Sequence, residues 1–381
     1  MNQHVTNDTV KTIVSDLLQR GLFPQLESLE MGQVTDLSDL FFNLTLPVGL
    51  DLNRWDVSNV TNMEGLFSHC RNIPRIGAWQ TDSVMNMTGM FAGNESEARV
   101  EITQDLSRWN TGNVTSMRFM FADCDFVHET GIGDWNTENV TDMSAMFADS
   151  NFNQPIDRWK TSNVTDMNNL FLNCTTFDQD IGGWDTSNVT TMSFMFRGCA
   201  NFNKDIGNWN TQHVIYMVDM FLGCTLFNQN IGRWNTMNVT IMSGMFLNCT
   251  NFHQDLIEWD TRRVARSPTS AYAMFQGCPI PEEFKPLNQL DHLHLARFGE
   301  QPSQPLFLAL PHRVQRFIRI EDKKRIRANV VKTLRNAKTV NGKPPPPDDT
   351  MEQIIGYIAG SRPKRKQTKR KHAKRRMTLL R

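Results

Sequence analysis

The seven cysteines are the residues of this 381-residue chain with the widest chemistry, because a thiol can bind metal, form a disulfide or act as a nucleophile. They all occupy one position of a repeated segment: Cys70, Cys124, Cys174, Cys199, Cys224, Cys249 and Cys278. Two further units carry Asn94 and Ser150 at that position. The odd number of cysteines and these replacements favour buried thiols that act as small apolar residues. Oxidised pairs and metal binding are the alternatives.

Asparagine offers a second modification chemistry, because Asn-Val-Thr is formally a glycosylation sequence. The tripeptide recurs at one turn position of the repeat and starts at Asn59, Asn113, Asn139, Asn163, Asn188 and Asn238. A fixed turn position indicates a structural use, in which the asparagine side chain satisfies backbone groups at each bend.

No enzyme signature accompanies these residues. The sequence contains no Gly-rich phosphate loop, no Gly-x-Ser-x-Gly elbow and no Cys/His catalytic arrangement. The nine histidines are scattered, and the cluster of Asp291, His292 and His294 is interpreted as exposed side chains. A methionine column at helical spacing indicates core filling and not a copper site. We therefore predict a protein that is not an enzyme and holds no cofactor or metal.

A repeat positions these residues. The nine tryptophans lie at 55, 79, 109, 135, 159, 184, 209, 234 and 259. Each has Ile or Leu three residues before it and Val five residues after it, and eight of them are followed by Met-Phe or Leu-Phe. A fixed period in this range indicates a solenoid or array, in which each unit needs neighbours to bury its apolar residues. We expect about ten coils of roughly 25 residues over 31–279.

The pattern within each repeat predicts one short helix and one strand. In the run Met192–Cys199 the apolar residues stand at i, i+3, i+4 and i+7, which is one face of a helix. The Ile-Gly-x-Trp stretch suits a short strand, in which a glycine such as Gly207 permits a bulge. One strand and one short helix per repeat is the leucine-rich-repeat plan, so the predicted fold class is α/β.

A family resemblance rests on the same residues. The run Phe177–Met192 reads Phe-Asp-Gln-Asp-Ile-Gly-Gly-Trp-Asp-Thr-Ser-Asn-Val-Thr-Thr-Met. It resembles the repeat of bacterial surface lipoproteins that are grouped with the BspA-like leucine-rich repeats. The resemblance implies a right-handed α/β solenoid and a binding or adhesive role without catalysis. Two features depart from that family: the lipoprotein signal with its lipid-bearing cysteine is absent, and the basic C-terminal part is not a family feature.

The residue before each tryptophan changes from repeat to repeat while its neighbours stay fixed. We expect this pre-tryptophan column to face solvent along the strand ribbon, where it is the candidate protein-binding face. Its candidate residues are Arg54, Arg108, Asp134, Arg158, Asn208, Arg233 and Glu258. The alternative is that solvated positions simply vary.

Charge divides the chain into two parts. Residues 1–280 carry 16 Lys and Arg against 31 Asp and Glu, whereas residues 281–381 carry 24 against 9. The predicted regions are an N-terminal helical cap (1–30), the repeats (31–279), a basic helical region (280–340), a Pro-rich linker with a short helix (341–360) and a disordered basic tail (361–381).

The basic tail is expected to bind polyanions by releasing counterions, without reading sequence. Nucleic acid binding or nuclear import is the favoured interpretation, and an anionic membrane or an acidic protein surface are the alternatives. The candidate residues are Lys364, Arg365, Lys366, Lys369, Arg370, Lys371, Lys374, Arg375 and Arg376.

These features together predict a non-enzymatic protein-interaction scaffold, with a protein partner on the solenoid and a polyanion on the tail. The competing hypothesis is a surface-associated, adhesin-like repeat protein. No stretch is apolar enough for a transmembrane helix, and the N-terminus lacks the features of a secretory signal. We therefore expect an intracellular location, the nucleus included, and leave surface or virion association open.

Overall fold

The computed structural model describes residues 5–93, 99–264, 270–281 and 284–286. The chain divides into two units, Met1–Ala296 and Arg297–Arg381, and every described residue belongs to the first. The predicted linker, short helix and basic tail lie outside the described residues. So do the Asp291, His292 and His294 cluster and all but the start of the predicted basic helical region.

Two helices precede the repeats. Helix α1 spans Asn7–Gln19 and buries Val10, Val14 and Leu17, which share one face at i, i+4 and i+7. Helix α2 spans Phe23–Glu27 and buries Leu26. All four side chains belong to the same hydrophobic core as the repeats, so the two helices pack directly on the first repeat.

Parallel β-bridges connect each repeat to the next. The described residues contain two strands, β1 (Val100–Ile102) and β2 (Cys124–Phe126), which pair in parallel with Val100 opposite Cys124. Elsewhere the pairing is one residue wide. The bridge column, as we name this series, consists of Asp36, Asn62, Asn86, Ser116, Asp142, Asp166, Thr191, Tyr216 and Ile241.

The short helix predicted for each repeat is wrong, because consecutive turns occupy Met192–Cys199. The amides of Met192, Phe194, Phe196 and Gly198 donate to carbonyls of the next repeat at 3.0, 2.7, 3.0 and 2.8 Å. The amides of Met195, Arg197 and Cys199 close i→i−3 turns, and the Ser193 amide donates to Thr191 Oγ1 at 3.4 Å. Phe194 and Gly198 have φ of 60° and 77°, values that a right-handed helix does not contain. Turns therefore reproduce the helical spacing of the buried residues.

The strand predicted for Ile-Gly-x-Trp is also wrong, and a turn replaces it. The amide of Trp209 donates to the carbonyl of Ile206 at 3.2 Å, which brings both buried side chains to the same side. Gly207 serves a close approach and not a bulge, because a Cβ atom there would lie 2.4 Å from the carbonyl oxygen of Asn230. The turn explains how Ile and Trp, three residues apart, are both buried.

Aromatic rings form a continuous stack through the core. One phenylalanine of each repeat stacks on its counterpart in the next, with ring centroids 5.3–5.8 Å apart from Phe41 through to Phe275. The indole of Trp55 donates to Leu26 at 2.9 Å, and the other eight indoles likewise donate to a carbonyl of the preceding repeat. Each repeat thus supplies part of its neighbour's core.

Neither α1 nor α2 has the length and apolar character needed to cross a bilayer, and the described part of the chain contains no other α-helix.

Candidate binding surface

The pre-tryptophan column lies on the turns that close each repeat. The two ends of the Ile-Gly-x-Trp turn are buried, and its glycine faces the backbone of the next repeat, as Gly207 does. The residue before tryptophan is the one position of the turn that points outward. All seven candidate residues are exposed, from Arg54 to Glu258. The column therefore faces solvent, but it follows a series of turns and not a strand ribbon.

Charged side chains of both signs occur along this column. Arg158 donates to Asp134 of the preceding repeat at 2.8 Å, and their side chains are 75% and 72% exposed. A pair this exposed contributes little to stability, about 0–1 kcal/mol. Hydrogen bonds from Ser107 lower the pKa of Asp105, and Arg108 adds to that effect. Six of the nine repeats thus carry Arg, Asp or Glu in this column, and the residue changes from repeat to repeat.

The cysteines form an internal column of free thiols, and six of the seven are buried. Cys174, Cys199 and Cys224 each donate to a phenylalanine carbonyl of the preceding repeat at 2.9 Å. Burial raises the pKa of the Cys174 thiol to about 12. The interpretation of the cysteines as buried thiols in the core is confirmed for these six, whereas Cys278 is half-buried. Burial raises the pKa of Cys278 as well, so none of the seven is an ionised nucleophile near neutral pH.

The asparagine of Asn-Val-Thr has the structural use expected of it. Asn188 Nδ2 donates to the carbonyl of Ser162 in the preceding repeat at 2.7 Å, and Asn139 does the same to Gly112. The same bond recurs at Asn59, Asn113, Asn163 and Asn238. These side chains connect the bends of successive repeats.

The sequence reasoning missed the bridge column as a surface. Its residues become apolar near the end of the repeats, where Tyr216 is 45% exposed and pairs with Ile241. The signal was present, because Tyr216 and Tyr272 are two of only three tyrosines in the chain and both are exposed. The position after Val-Thr was not singled out because the strand was expected elsewhere in the repeat.

The nine candidate tail residues lie outside the described part of the chain. Among the residues that are described, no three His, Cys, Asp or Glu side chains are grouped as a metal site requires.

Comparison with protein families gives one match, which repeats along the chain. The family described as "Mycoplasma protein of unknown function, DUF285" matches residues 35–130, 96–189, 126–212 and 173–284. Comparison with curated proteins and with solved structures gives no match. The matched segments overlap and together span the tryptophan repeats, which is more than half of the sequence. The chain is therefore a repeat protein that belongs to the DUF285 family.

Proposed function

We propose that this protein is a non-enzymatic scaffold whose repeats form a solenoid related to the BspA-like repeats and bind a protein partner. One observation carries the proposal: inward positions are constant in residue type, whereas adjacent outward positions vary. Ile206 and Trp209 are buried and recur in kind, while Asn208 between them is exposed and is replaced in every neighbouring repeat. A stiff interior with a variable exterior suits recognition over an extended surface.

The stack holds these outward side chains at fixed intervals. Successive repeats are joined by backbone hydrogen bonds, indole hydrogen bonds and ring stacking, as between Phe196 and Phe221 at 5.6 Å. A surface held this firmly loses little conformational entropy when a partner binds. The proposal therefore assigns partner choice to the exposed residues and rigidity to the buried ones.

Charge reversal on the pre-tryptophan column tests this proposal. In the full chain, four arginines are changed to glutamate: Arg54, Arg108, Arg158 and Arg233. The control carries the same charge change at four exposed sites outside the column: Lys11, Arg20, Arg75 and Lys160. Proteins cross-linked to each version in cells are compared by mass spectrometry. We expect a partner that the wild type and the control capture and the column variant loses; equal capture by all three would contradict the column's role.

The second part of the proposal concerns the basic tail, whose ten Lys and Arg between Ser361 and Arg376 occur without an acidic residue. We propose that it binds nucleic acid through phosphate contacts. A plot of the logarithm of the association constant against the logarithm of the salt concentration should then have a slope of about −0.9 for each phosphate contact. The full chain is compared with a full-length variant in which the nine candidate cations are glutamine. Duplex DNA should bind the wild type more tightly and with the steeper salt dependence. Equal, salt-insensitive binding would remove the tail's proposed role.

A further inference from the structure

The bridge column has an apolar end. Tyr216 and Ile241 pair directly, and the Met217 amide beside them donates to the Ile241 carbonyl at 3.0 Å. Ile215, next to Tyr216, is 37% exposed. Tyr272, in the repeat after that of Ile241, is 72% exposed. The preceding repeat has Thr190 and Thr191 at the positions of Ile215 and Tyr216. Apolar side chains have therefore replaced polar ones on one surface.

The repeats that carry this apolar end are almost free of charge. Between Ile206 and Gln254 the only Asp, Glu, Lys or Arg residues are Asp219 and Arg233. Protein interfaces are depleted of charge at their centres and enriched in tyrosine, which is the composition seen here. Exposed apolar patches on soluble proteins commonly mark interaction sites.

The same column has an acidic end two and three repeats earlier. The bridges run in succession from Asp142 to Asp166, Thr191 and Tyr216. Burial raises the pKa of Asp166, and the neighbouring Asp142 carboxylate raises it further. The hydrogen bond from the Asn168 amide and the charge of Arg118 lower it, but the net shift is upward. The two half-buried carboxylates on adjacent repeats repel each other, and the pKa of Asp166 stays raised although Arg118 acts on it. A further cation beside the pair would therefore stabilise it.

The spacing of the column relates its two ends. Bridged neighbours lie about 4.8 Å apart, so Asp166 lies about 10 Å and Asp142 about 14 Å along the column from Tyr216. An extended chain advances about 3.3 Å per residue and covers these distances in three to four residues.

The geometry points to a docking surface for a short linear segment of a partner protein, formed by Tyr216 and Ile241 at one end and Asp142 and Asp166 at the other. The segment carries an aliphatic or aromatic anchor and, three or four residues away, Lys or Arg. This inference deepens the protein-binding role proposed above and rests on it. It does not depend on the pre-tryptophan column, which lies on different turns.

The size of the patch favours a linear segment over a second copy of the chain. The exposed parts of Ile215, Tyr216, Ile241 and Tyr272 amount to on the order of 300 Å². A stable dimer interface needs about 800 Å² from each partner. A short segment needs only a small anchor site with complementary charge beside it.

Peptide display on the immobilised full chain tests the inference. A random peptide library is selected on the wild type and depleted on a variant that carries Tyr216→Thr and Ile241→Thr. Threonine already occupies the column at Thr191, so both changes suit the local fold. The enriched peptides should share an apolar anchor with Lys or Arg three or four residues away. Enrichment without that pattern would overturn the inference.

Affinities of one enriched peptide then separate the two ends. Binding should weaken at least tenfold in the double threonine variant and at least threefold in Asp142→Asn with Asp166→Asn. The matched control is Leu226→Thr, which removes a 47% exposed apolar side chain at a position outside the bridge column. Equal affinity for all variants would overturn the inference. If no peptide binds while capture of a cross-linked partner still depends on the four arginines of the pre-tryptophan column, this inference alone fails and the proposed function stands.

Discussion

The indole Nε1 of Trp209 and the backbone amide of Trp184 both donate to one oxygen, the carbonyl of Ile181, each at 3.1 Å. The first bond comes from the next repeat and the second closes the turn of Ile181's own repeat. One buried carbonyl therefore fixes the turn and attaches the following repeat to it. The same arrangement recurs along the stack, which explains why Ile or Leu and Trp keep their separation of three residues.

Loss of the indole donor should destabilise the protein. In Trp209→Phe the Ile181 carbonyl keeps its turn bond but loses its partner from the next repeat, and the smaller ring leaves space in the core. We expect the free energy of unfolding to fall by about 2 kcal/mol or more, measured by urea denaturation. Asn208→Ala, the exposed neighbour, should change it by no more than about 0.5 kcal/mol. Equal effects of the two variants would contradict the role given to this bond.

Two adjacent glycines provide a matched pair. A Cβ atom on Gly182 would lie 2.4 Å from the backbone oxygen of Asp205, whereas one on Gly183 would have nothing within 4 Å. Gly182→Ala should therefore lower the free energy of unfolding by about 1–3 kcal/mol through overpacking. Gly183→Ala should leave it nearly unchanged. Thermal and urea unfolding of both variants distinguishes a close approach between repeats from a general need for glycine in this turn.

Phe194 has φ of 60°, a value that is unfavourable for an aromatic residue. The corresponding residue of the preceding repeat is Asn169, with φ of 58°, and asparagine tolerates this conformation. The guanidinium of Arg197 lies over the Phe194 ring, 5.7 Å from its centroid, and this contact is lost in Phe194→Asn. Relief of the backbone strain should outweigh that loss and raise the free energy of unfolding by about 0.5–1 kcal/mol. Phe194→Val should lower it, because a β-branched side chain suits this region least. The opposite order in urea denaturation would show that Phe194 is not strained.

The buried thiols give stability a pH dependence at alkaline pH. The pKa of Cys174 rises from 9.0 to about 12 on burial, so the folded chain holds a proton that the unfolded chain releases. The thiol's contribution to stability is complete below pH 9 and is lost as pH rises towards 12. For this one thiol, each pH unit in that window should lower the free energy of unfolding by roughly 1.4 kcal/mol.

Cys174→Ser is the control for this dependence. Ser150 fills the same position one repeat earlier, and its hydroxyl donates to the carbonyl of Phe147 at 2.7 Å. A serine does not titrate here, so the variant should lose less stability than the wild type between pH 9 and 12. If urea denaturation gives the wild type and Cys174→Ser the same fall in the free energy of unfolding from pH 9 to 12, the raised pKa of Cys174 is refuted.

The sequence was sufficient to predict the register of the repeats and their buried residues, because Trp209, Met217 and Phe221 recur in kind at fixed separations. The backbone was not predictable from the same pattern. Burial at i, i+3, i+4 and i+7 arises in a helix and also in consecutive turns, and only φ separates them. Gly198 and Gly244, placed where a helix disfavours glycine, were the available indication of turns.

The candidate surface was predictable in part for the same reason. Exposure of the pre-tryptophan column followed from its variation beside fixed neighbours. The bridge column was missed, because locating Tyr216 beside Ile241 requires the pairing between repeats, which residue type alone does not specify.

The central claim is that backbone amides bond from one repeat to the next and thereby hold a fixed interior beneath a variable surface. The most direct test is the scalar coupling across the hydrogen bond of the Phe196 amide, measured by NMR on the full chain. The account predicts a correlation from the Phe196 nitrogen to the carbonyl carbon of Met220, whose oxygen lies 3.0 Å away. A correlation to Met192, four residues earlier in the same repeat, would establish a helix and contradict the account.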